Sequence, residues 1–233
     1  MVRDGKPKGF FFLDHRTVDG KFNIITDTHV TAANIHDSIP YLERLDHQKT
    51  KFHFDVQAVG LDAGYFTPHI CKGLEDREIF GALSYRRSNH LKGYFYKREY
   101  RYEKELDIYT CPEGKNLTYQ TTDRLGYRKY VSDPKVCMNC PSQNRCTRSR
   151  NNQKVITRHV WADAVDRANQ NRLTPEGKEI YKRRKETIER SFADSKQLHG
   201  LRYARFRGLK KVKDQCLLTA ACQNMKKIAN AVA

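Results

Sequence analysis

The chain has 233 residues, enough to bury a substantial core, and sets 44 lysines and arginines against 27 aspartates and glutamates, a net charge of +17. An excess of that size repels itself unless a polyanion neutralises it, which points to nucleic acid as the partner. No apolar run is long enough to span a bilayer, and no apolar stretch follows the basic start as a secretion signal requires, so the seven cysteines read as thiols of a reducing interior.

Residues 8–18 are rich in strand formers, Asp19-Gly20 is a hairpin signal, and Phe22 to Val30 reads as the returning strand. Asn34 or Asp37 caps the next predicted helix, which turns Ile39, Tyr41, Leu42 and Leu45 inward. Asp55 to Tyr65 then gives a short, largely apolar strand ending in a carboxylate followed by glycine. A helix opens at Thr67-Pro68, and Glu78 to Arg86 forms the next strand. Strand, helix, strand at this spacing implies a right-handed crossover and a parallel pair. Asp62 therefore stands at the carboxyl end of a parallel strand, where open α/β sheets place their ligand sites. A strand-terminal Asp beside Gly is also a simple turn former, and the residues alone leave both readings open.

Residues 87–165 change character: polar, tyrosine-rich and turn-rich, they read as a mostly β insertion. The expected domains are thus 1–86, 87–165 and 166–233. Helix resumes from about residue 161 or 174, where Thr174 is a good N-cap before Pro175, and runs through Lys196 with Ile180, Ile188 and Phe192 forming one apolar stripe. Glu189 lies beside that stripe, and Lys196 follows about 10 Å along nearly the same face. Around them stand Lys182, Arg183, Arg184, Lys185, Arg190, Arg202, Arg205 and Arg207. Such a carboxylate is either a local partner of its arginines or a metal ligand on a DNA-contacting helix. A last helix, Leu209 to Val232, places Val212, Cys216, Leu217, Ala220 and Ile228 on one amphipathic face.

Four stretches occur in a telling order: Thr17-Val18-Asp19-Gly20, Thr31 to Asp37, Gly60-Leu61-Asp62-Ala63-Gly64-Tyr65, and Ile188-Glu189-Arg190-x-Phe192-x₃-Lys196. Together they resemble DDE-type insertion-sequence transposases, in particular the group with a cysteine-bearing β insertion. The resemblance spans essentially the whole chain. It implies an α/β, RNase H-like mixed sheet with flanking helices and DNA transposition by Mg²⁺- or Mn²⁺-dependent strand cleavage and transfer. Asp62 becomes the second acidic ligand and Glu189 the third. Lys196, which follows the glutamate after six intervening residues, matches a lysine that contacts DNA near the cleaved end. Tyr181 and Arg184 are similar to a tyrosine and arginine preceding the glutamate, but each is one residue too far from Glu189, and Lys185 holds the arginine position. Arg190, Arg202, Arg205 and Arg207 are the further expected DNA contacts.

In that family the first catalytic aspartate lies on the first strand, upstream of the hairpin. This sequence opens at Met1-Val2-Arg3-Asp4-Gly5-Lys6, already past it, so the expected state is a truncated transposase with two ligands of three. The expected partners are duplex DNA, as element ends and target, and a second copy or a full-length transposase. The implied location is the cytoplasm of a bacterium or archaeon. The alternatives are a non-catalytic DNA-binding remnant and an RNA-binding basic protein. The latter accounts for the charge and the 13 Tyr and 11 Phe, though not for the strand-ending Asp.

Cys111, Cys137, Cys140 and Cys146 form C-x₂₅-C-x₂-C-x₅-C, which fits a Zn²⁺ site built on the Cys137/Cys140 half-site or, alternatively, buried or surface thiols. Cys71, Cys216 and Cys222 read as core residues. The nine histidines form no ligand pattern, and His15 and His36 are expected to be structural or on the surface.

Overall fold

The computed structural model describes residues 9, 11–85 and 91–232. Lys8, Phe10 and Arg86, expected at strand ends, and the opening segment Met1 to Lys6 lie outside them. In chain order the elements are β1 (Phe12–Val18), β2 (Ile25–Ala32), α1 (Ser38–Phe52), β3 (Ala58–Leu61), α2 (Pro68–Glu75), β4 (Phe80–Leu83), β5 (Arg101–Glu103), β6 (Ile108–Thr110), β7 (Asn116–Thr122) and β8 (Tyr127–Ser132). They continue with α3 (Pro134–Met138), α4 (Gln143–Cys146), β9 (Val155–His159), α5 (Ala162–Asn171), α6 (Pro175–Lys182), α7 (Ile188–Leu198) and α8 (Leu209–Val232). Two compact units result: the residues up to Tyr85 with those from Ala164 onward, and the stretch between. None of the described helices is long and apolar enough to cross a membrane.

In the first unit, β1 and β2 pair antiparallel. Their connection is not the tight Asp-Gly turn expected. Asp19 Oδ2 accepts from the N–H groups of Lys21 and Phe22, Asp19 N donates to Ile24 O (2.8 Å), and Asn23 takes the left-handed conformation (φ 59°). A wider loop thus forms, in which an Asx bond replaces the glycine turn. β3 and β4 pair in parallel with Ala58 opposite Phe80, as the crossover requires. The single mixed sheet expected is absent among the described residues: the hairpin and the parallel pair are separate two-stranded sheets. The physical reason is direct, since no described strand bonds the free edges of β1 and β3.

Period-2 alternation assigns the faces of β3. Val59 and Leu61 pack on the core of Leu42, Leu45, Ile70, Cys71, Leu74, Ile79, Leu83, Ala164 and Ala168. Gly60 points the other way, where a Cβ would lie 3.2 Å from Ile180 O and 3.3 Å from Arg184 Cγ. Its missing side chain lets the end of α6 lie against β3. Leu42 and Leu45 of α1 are buried as expected, but Ile39 is 68% exposed. Gln48 takes a buried place instead, accepting from Thr26 Oγ1 (2.7 Å) and donating to Thr17 Oγ1 (3.1 Å).

The expected continuous helix through Lys196 is broken. Thr174 and Pro175 open α6 as predicted, with Thr174 Oγ1 accepting from Gly177 N (3.0 Å). A 3₁₀ turn, Arg183–Lys185, then intervenes, and Thr187 Oγ1 donates to Arg183 O (2.9 Å) before α7 begins. On α8 the buried set is Val212, Cys216, Thr219, Ala220 and Gln223. Leu217 and Ile228 are exposed, and so is Cys222, because the face packed on β2 and α7 is partly polar.

That polar face belongs to one network. Arg16 of β1, with a side chain 0% exposed, donates through Nη1 to Ser191 Oγ (2.9 Å) and Ser195 Oγ (2.7 Å) of α7. Its Nη2 donates to Asp14 Oδ2 (2.6 Å), and its guanidinium lies 4.8 Å from the centre of the Phe192 ring. Gln223 of α8 closes the set, donating to Ser195 Oγ (2.6 Å) and Ser191 O (3.0 Å).

The second unit is a five-stranded antiparallel meander in the order β5-β6-β7-β8-β9. Its core is aromatic: Tyr100, Tyr109, Leu117, Tyr130 and Ile156. Tyr102 and Tyr130 both donate to Asp107 Oδ1. The short helices α3 and α4 carry Cys137 and Cys146.

A Cβ on Gly177 would lie 2.0 Å from Asn171 O and 2.8 Å from Asn171 C, both backbone atoms that cannot swing away. Gly177→Ala should lower the urea midpoint by an amount worth about 1–3 kcal/mol with an unchanged slope. Gly20→Ala meets nothing within 4 Å and should leave the midpoint where it is.

Candidate active site

Leu61 ends β3, and the chain turns into a 3₁₀ turn, Ala63–Tyr65, with Asp62 as its N-cap. Asp62 Oδ1 accepts from Gly64 N (2.9 Å), and Oδ2 faces Arg184 Nη2 at 3.9 Å. That distance is too long for a hydrogen bond, so one carboxylate oxygen stays uncommitted. Arg184 also donates to Tyr181 Oη (3.1 Å) and stacks on that ring. The broken helix accounts for both residues: the 3₁₀ turn brings Arg184 to Asp62, while Lys185 is exposed. Spacing alone had favoured Lys185.

Asp37 joins the same corner. It was expected to cap α1, yet its side chain makes no cap bond. The Cβ position of Gly64 lies 3.1 Å from Asp62 Oδ1 and 3.4 Å from Asp37 Oδ2, so two carboxylates crowd the space that glycine leaves. His15 Nδ1 stands 3.6 Å from Asp37 Oδ1, and its Nε2 shares a 2.7 Å hydrogen bond with Thr31 Oγ1. Burial lowers the His15 pKa below its ordinary value, with Asp37 pulling the other way. Burial, with Asp37 and Asp62 beside it, raises the Tyr65 phenol. Sequence reasoning missed Asp37 and His15 as members of this corner. The quoted Thr31 to Asp37 run held the only signal, an acid that reads as a helix cap.

Glu189 stands on the exposed side of α7 and makes no hydrogen bond or ion pair among the described residues. Its neighbour Arg190 pairs with Asp194 (3.1 Å), and Lys196 is exposed. The opposite side of α7 is fixed by Arg16. The expected ligands Asp62 and Glu189 are thus both presented to solvent, but no contact joins them. Among the described residues no three His, Cys, Asp or Glu side chains are gathered to hold a metal ion. Arg202, Arg205 and Arg207 lie exposed in the loop between α7 and α8.

In the second unit, Cys111, Cys137, Cys140 and Cys146 line one cavity of about 30 Å³. A turn aims Cys111: its N donates to Lys115 O (2.8 Å), Gly114 sits at φ +72°, and Lys115 N donates to the sulfur at 3.3 Å. Cys137 Sγ donates to Ser132 Oγ (3.2 Å), and Cys146 Sγ lies 3.1 Å from Tyr100 Oη. Burial raises the Cys146 thiol pKa, opposed by the Tyr100 bond and by Lys154. The four thiols share the cavity without closing into a ligand set.

A family model described as a transposase DDE domain matches residues 110–229, just over half of the chain. The matched stretch holds the four cysteines and Glu189 and leaves Asp62 outside. No curated protein and no solved structure matches the chain.

Asp62→Ala removes the cap acceptor and should lower stability by about 1 kcal/mol. Asp62→Asn keeps an oxygen toward Gly64 N and should melt within a degree or two of the parent by calorimetry, roughly the shift expected from a few tenths of a kcal/mol.

Proposed function

The chain belongs to the transposase DDE domain family, and from that premise we propose that it acts on duplex DNA through metal-assisted phosphodiester chemistry. Asp62 and Glu189 are the acidic ligands, and Lys196 is the lysine that holds DNA near them. The observation that carries this reading is the state of the two carboxylates. Asp62 keeps an oxygen uncommitted at the end of a parallel strand, and Glu189 stands unbonded on the exposed side of α7. In a chain with 44 lysines and arginines a nearby cation could have engaged both acids fully, so their open oxygens suit a ligand role.

The donor chemistry fits Mg²⁺ or Mn²⁺: hard carboxylate oxygens open to water, with phosphate oxygens left to complete the shell. A divalent ion held there would lower the pKa of an attacking water or hydroxyl and offset charge on the leaving oxygen. The protein's own part is positional. Arg184 steadies Asp62, the Arg16 network fixes the helix that bears Glu189, and Lys196, Arg190, Arg202, Arg205, Arg207 and Lys185 attract the phosphate backbone.

The finer reading is an RNase H-like mixed sheet in which a further strand belongs between β1 and β3. The free edges of β1 and β3 support it, because a strand between them would join hairpin and parallel pair into one mixed sheet. The alternative is a non-catalytic DNA-binding relative that mixes with a full-length transposase. Sustained Mg²⁺-dependent cleavage by the purified chain, abolished in Asp62→Asn, would overturn that part. It would leave Asp37, already beside Asp62, as the third acid to test.

Glu189→Gln should keep the melting temperature and duplex affinity and weaken Mn²⁺ binding at least tenfold by titration calorimetry. Unchanged Mn²⁺ affinity removes Glu189 from the ligand set.

For the second unit we propose structural Zn²⁺ held by Cys111, Cys137, Cys140 and Cys146. Four soft donors around one cavity, one of them receiving a backbone N–H on its sulfur, support the assignment. Protein produced with zinc present should carry one zinc per chain by elemental analysis, and Cys137→Ser/Cys140→Ser should carry none. A zinc-free parent overturns the assignment.

A further inference from the structure

The loop between α7 and α8 and the first turns of α8 enclose an open groove of about 510 Å³, within the size range of small-ligand sites. Phe206 and Leu218 give it apolar walls, His199 and Arg205 flank them, and Asp214 and Gln215 supply polar edges. Phe206 is 54% exposed and Leu218 is 67% exposed, so these apolar surfaces are not core.

The loop is built rather than slack. Leu201 N donates to Ser195 O (2.9 Å), and Leu201 packs on the cluster of Val30, Val212 and Cys216. The side-chain amide of Gln215 clamps the next turn from both sides, accepting from Arg205 N (3.0 Å) and donating to Tyr203 O (3.1 Å). Gly200 takes φ +63°, and a Cβ there would lie 2.5 Å from Arg205 Nη2, so the guanidinium folds over bare backbone. These contacts hold an aromatic ring and an arginine at the mouth of the groove.

Charge selects the occupant. From His199 to Asp214 the sequence carries Arg202, Arg205, Arg207, Lys210, Lys211 and Lys213 against the single acid Asp214. A flat aromatic set among cations is the pattern that takes a base and its phosphate together. We propose that this groove holds one unstacked DNA base, with its ring on Phe206, its edge toward Asp214 and Gln215, and its phosphate on Arg205 and Lys211. The proposal rests on the DNA-binding reading above and adds a distinct site to it. Within that reading, Lys196 lies one helical turn before His199, so an unpaired nucleotide here would belong to the same DNA that Lys196 touches.

The test uses the full chain and two DNA probes at one fixed salt concentration: a blunt duplex, and the same duplex with a short single-stranded overhang ending in 2-aminopurine. Wild type should bind the overhang probe about tenfold more tightly and quench its fluorescence, as one base stacked on an aromatic side chain predicts. Phe206→Ala should abolish both the preference and the quenching while binding blunt duplex as before. Tyr203→Ala, an aromatic outside the groove lining and 76% exposed, should change neither. Both positions are on the surface, so the variants should melt with the parent. Equal wild-type affinity for the two probes overturns the proposal, and so does a preference that survives Phe206→Ala. Dimerisation by sedimentation that is lost in Phe206→Ala, with no overhang preference, would instead assign the groove to a second copy and overturn it too. Failure to bind either probe would count against the DNA-binding reading itself, a result distinct from binding both alike.

Discussion

A buried guanidinium governs the geometry of the first unit. Arg16 cannot lose its charge, and placing that charge away from water costs several kcal/mol unless every donor is answered. Asp14, Ser191 and Ser195 answer its Nη groups from β1 and α7, and Gln223 of α8 holds the two serines in place. The arrangement is demanding in direction as well as energy, because hydrogen bonds tolerate little rotation of α7. A purely apolar contact would let that helix slide or turn. Asp14 carries part of the load: burial raises its pKa although Arg16 lies beside it, so the pair is held by its surroundings as much as by its own attraction.

Fixing one side of α7 decides what the other side offers. With Ser191 and Ser195 committed inward, Glu189 and Lys196 face solvent. The break after α6 matters for the same reason. Had α6 run on without its 3₁₀ turn, Arg184 would have pointed elsewhere around the helix. The tighter turn and the Thr187 bond to Arg183 O let α6 deliver Arg184 to Asp62 and let α7 take its own direction toward Arg16. Two short helices meeting at an angle thus serve two different strands.

The sequence was legible where one local rule settled the outcome. Val59-Gly60-Leu61 followed by Asp62 reads as a buried strand ending in an acid, and the parallel pairing to β4 follows from the helix between. Thr174-Pro175 announced α6 because a cap and its proline are chemistry within one turn. It was not legible where distant residues compete. Nothing in the run from Lys182 to Ile188 breaks a helix by propensity. The interruption is tertiary, set by what α6 and α7 each pack against. Asp37 before a helix looks like a cap, and only the approach of Gly64 and His15 reveals it as part of the Asp62 corner. Ile39 was assigned inward by spacing, whereas Gln48 took a buried place because Thr17 and Thr26 supply its hydrogen bonds.

The state of the Asp62 corner supports the ligand role proposed for it. Two other acids of the unit are firmly committed: Asp46 and Asp27 are each gripped by an arginine through two nitrogens. Arg77 holds the Asp46 carboxyl below its usual range. Asp62 receives one backbone N–H, a distant guanidinium and another carboxylate as its neighbour. A chain rich in lysine and arginine had ample means to pair it more closely. Leaving an anion half-satisfied beside a second anion lowers folding stability, and a site built to receive a cation is where such a loss is tolerated. Glu189, without a partner among the described residues on the exposed side of α7, repeats the pattern on a different element.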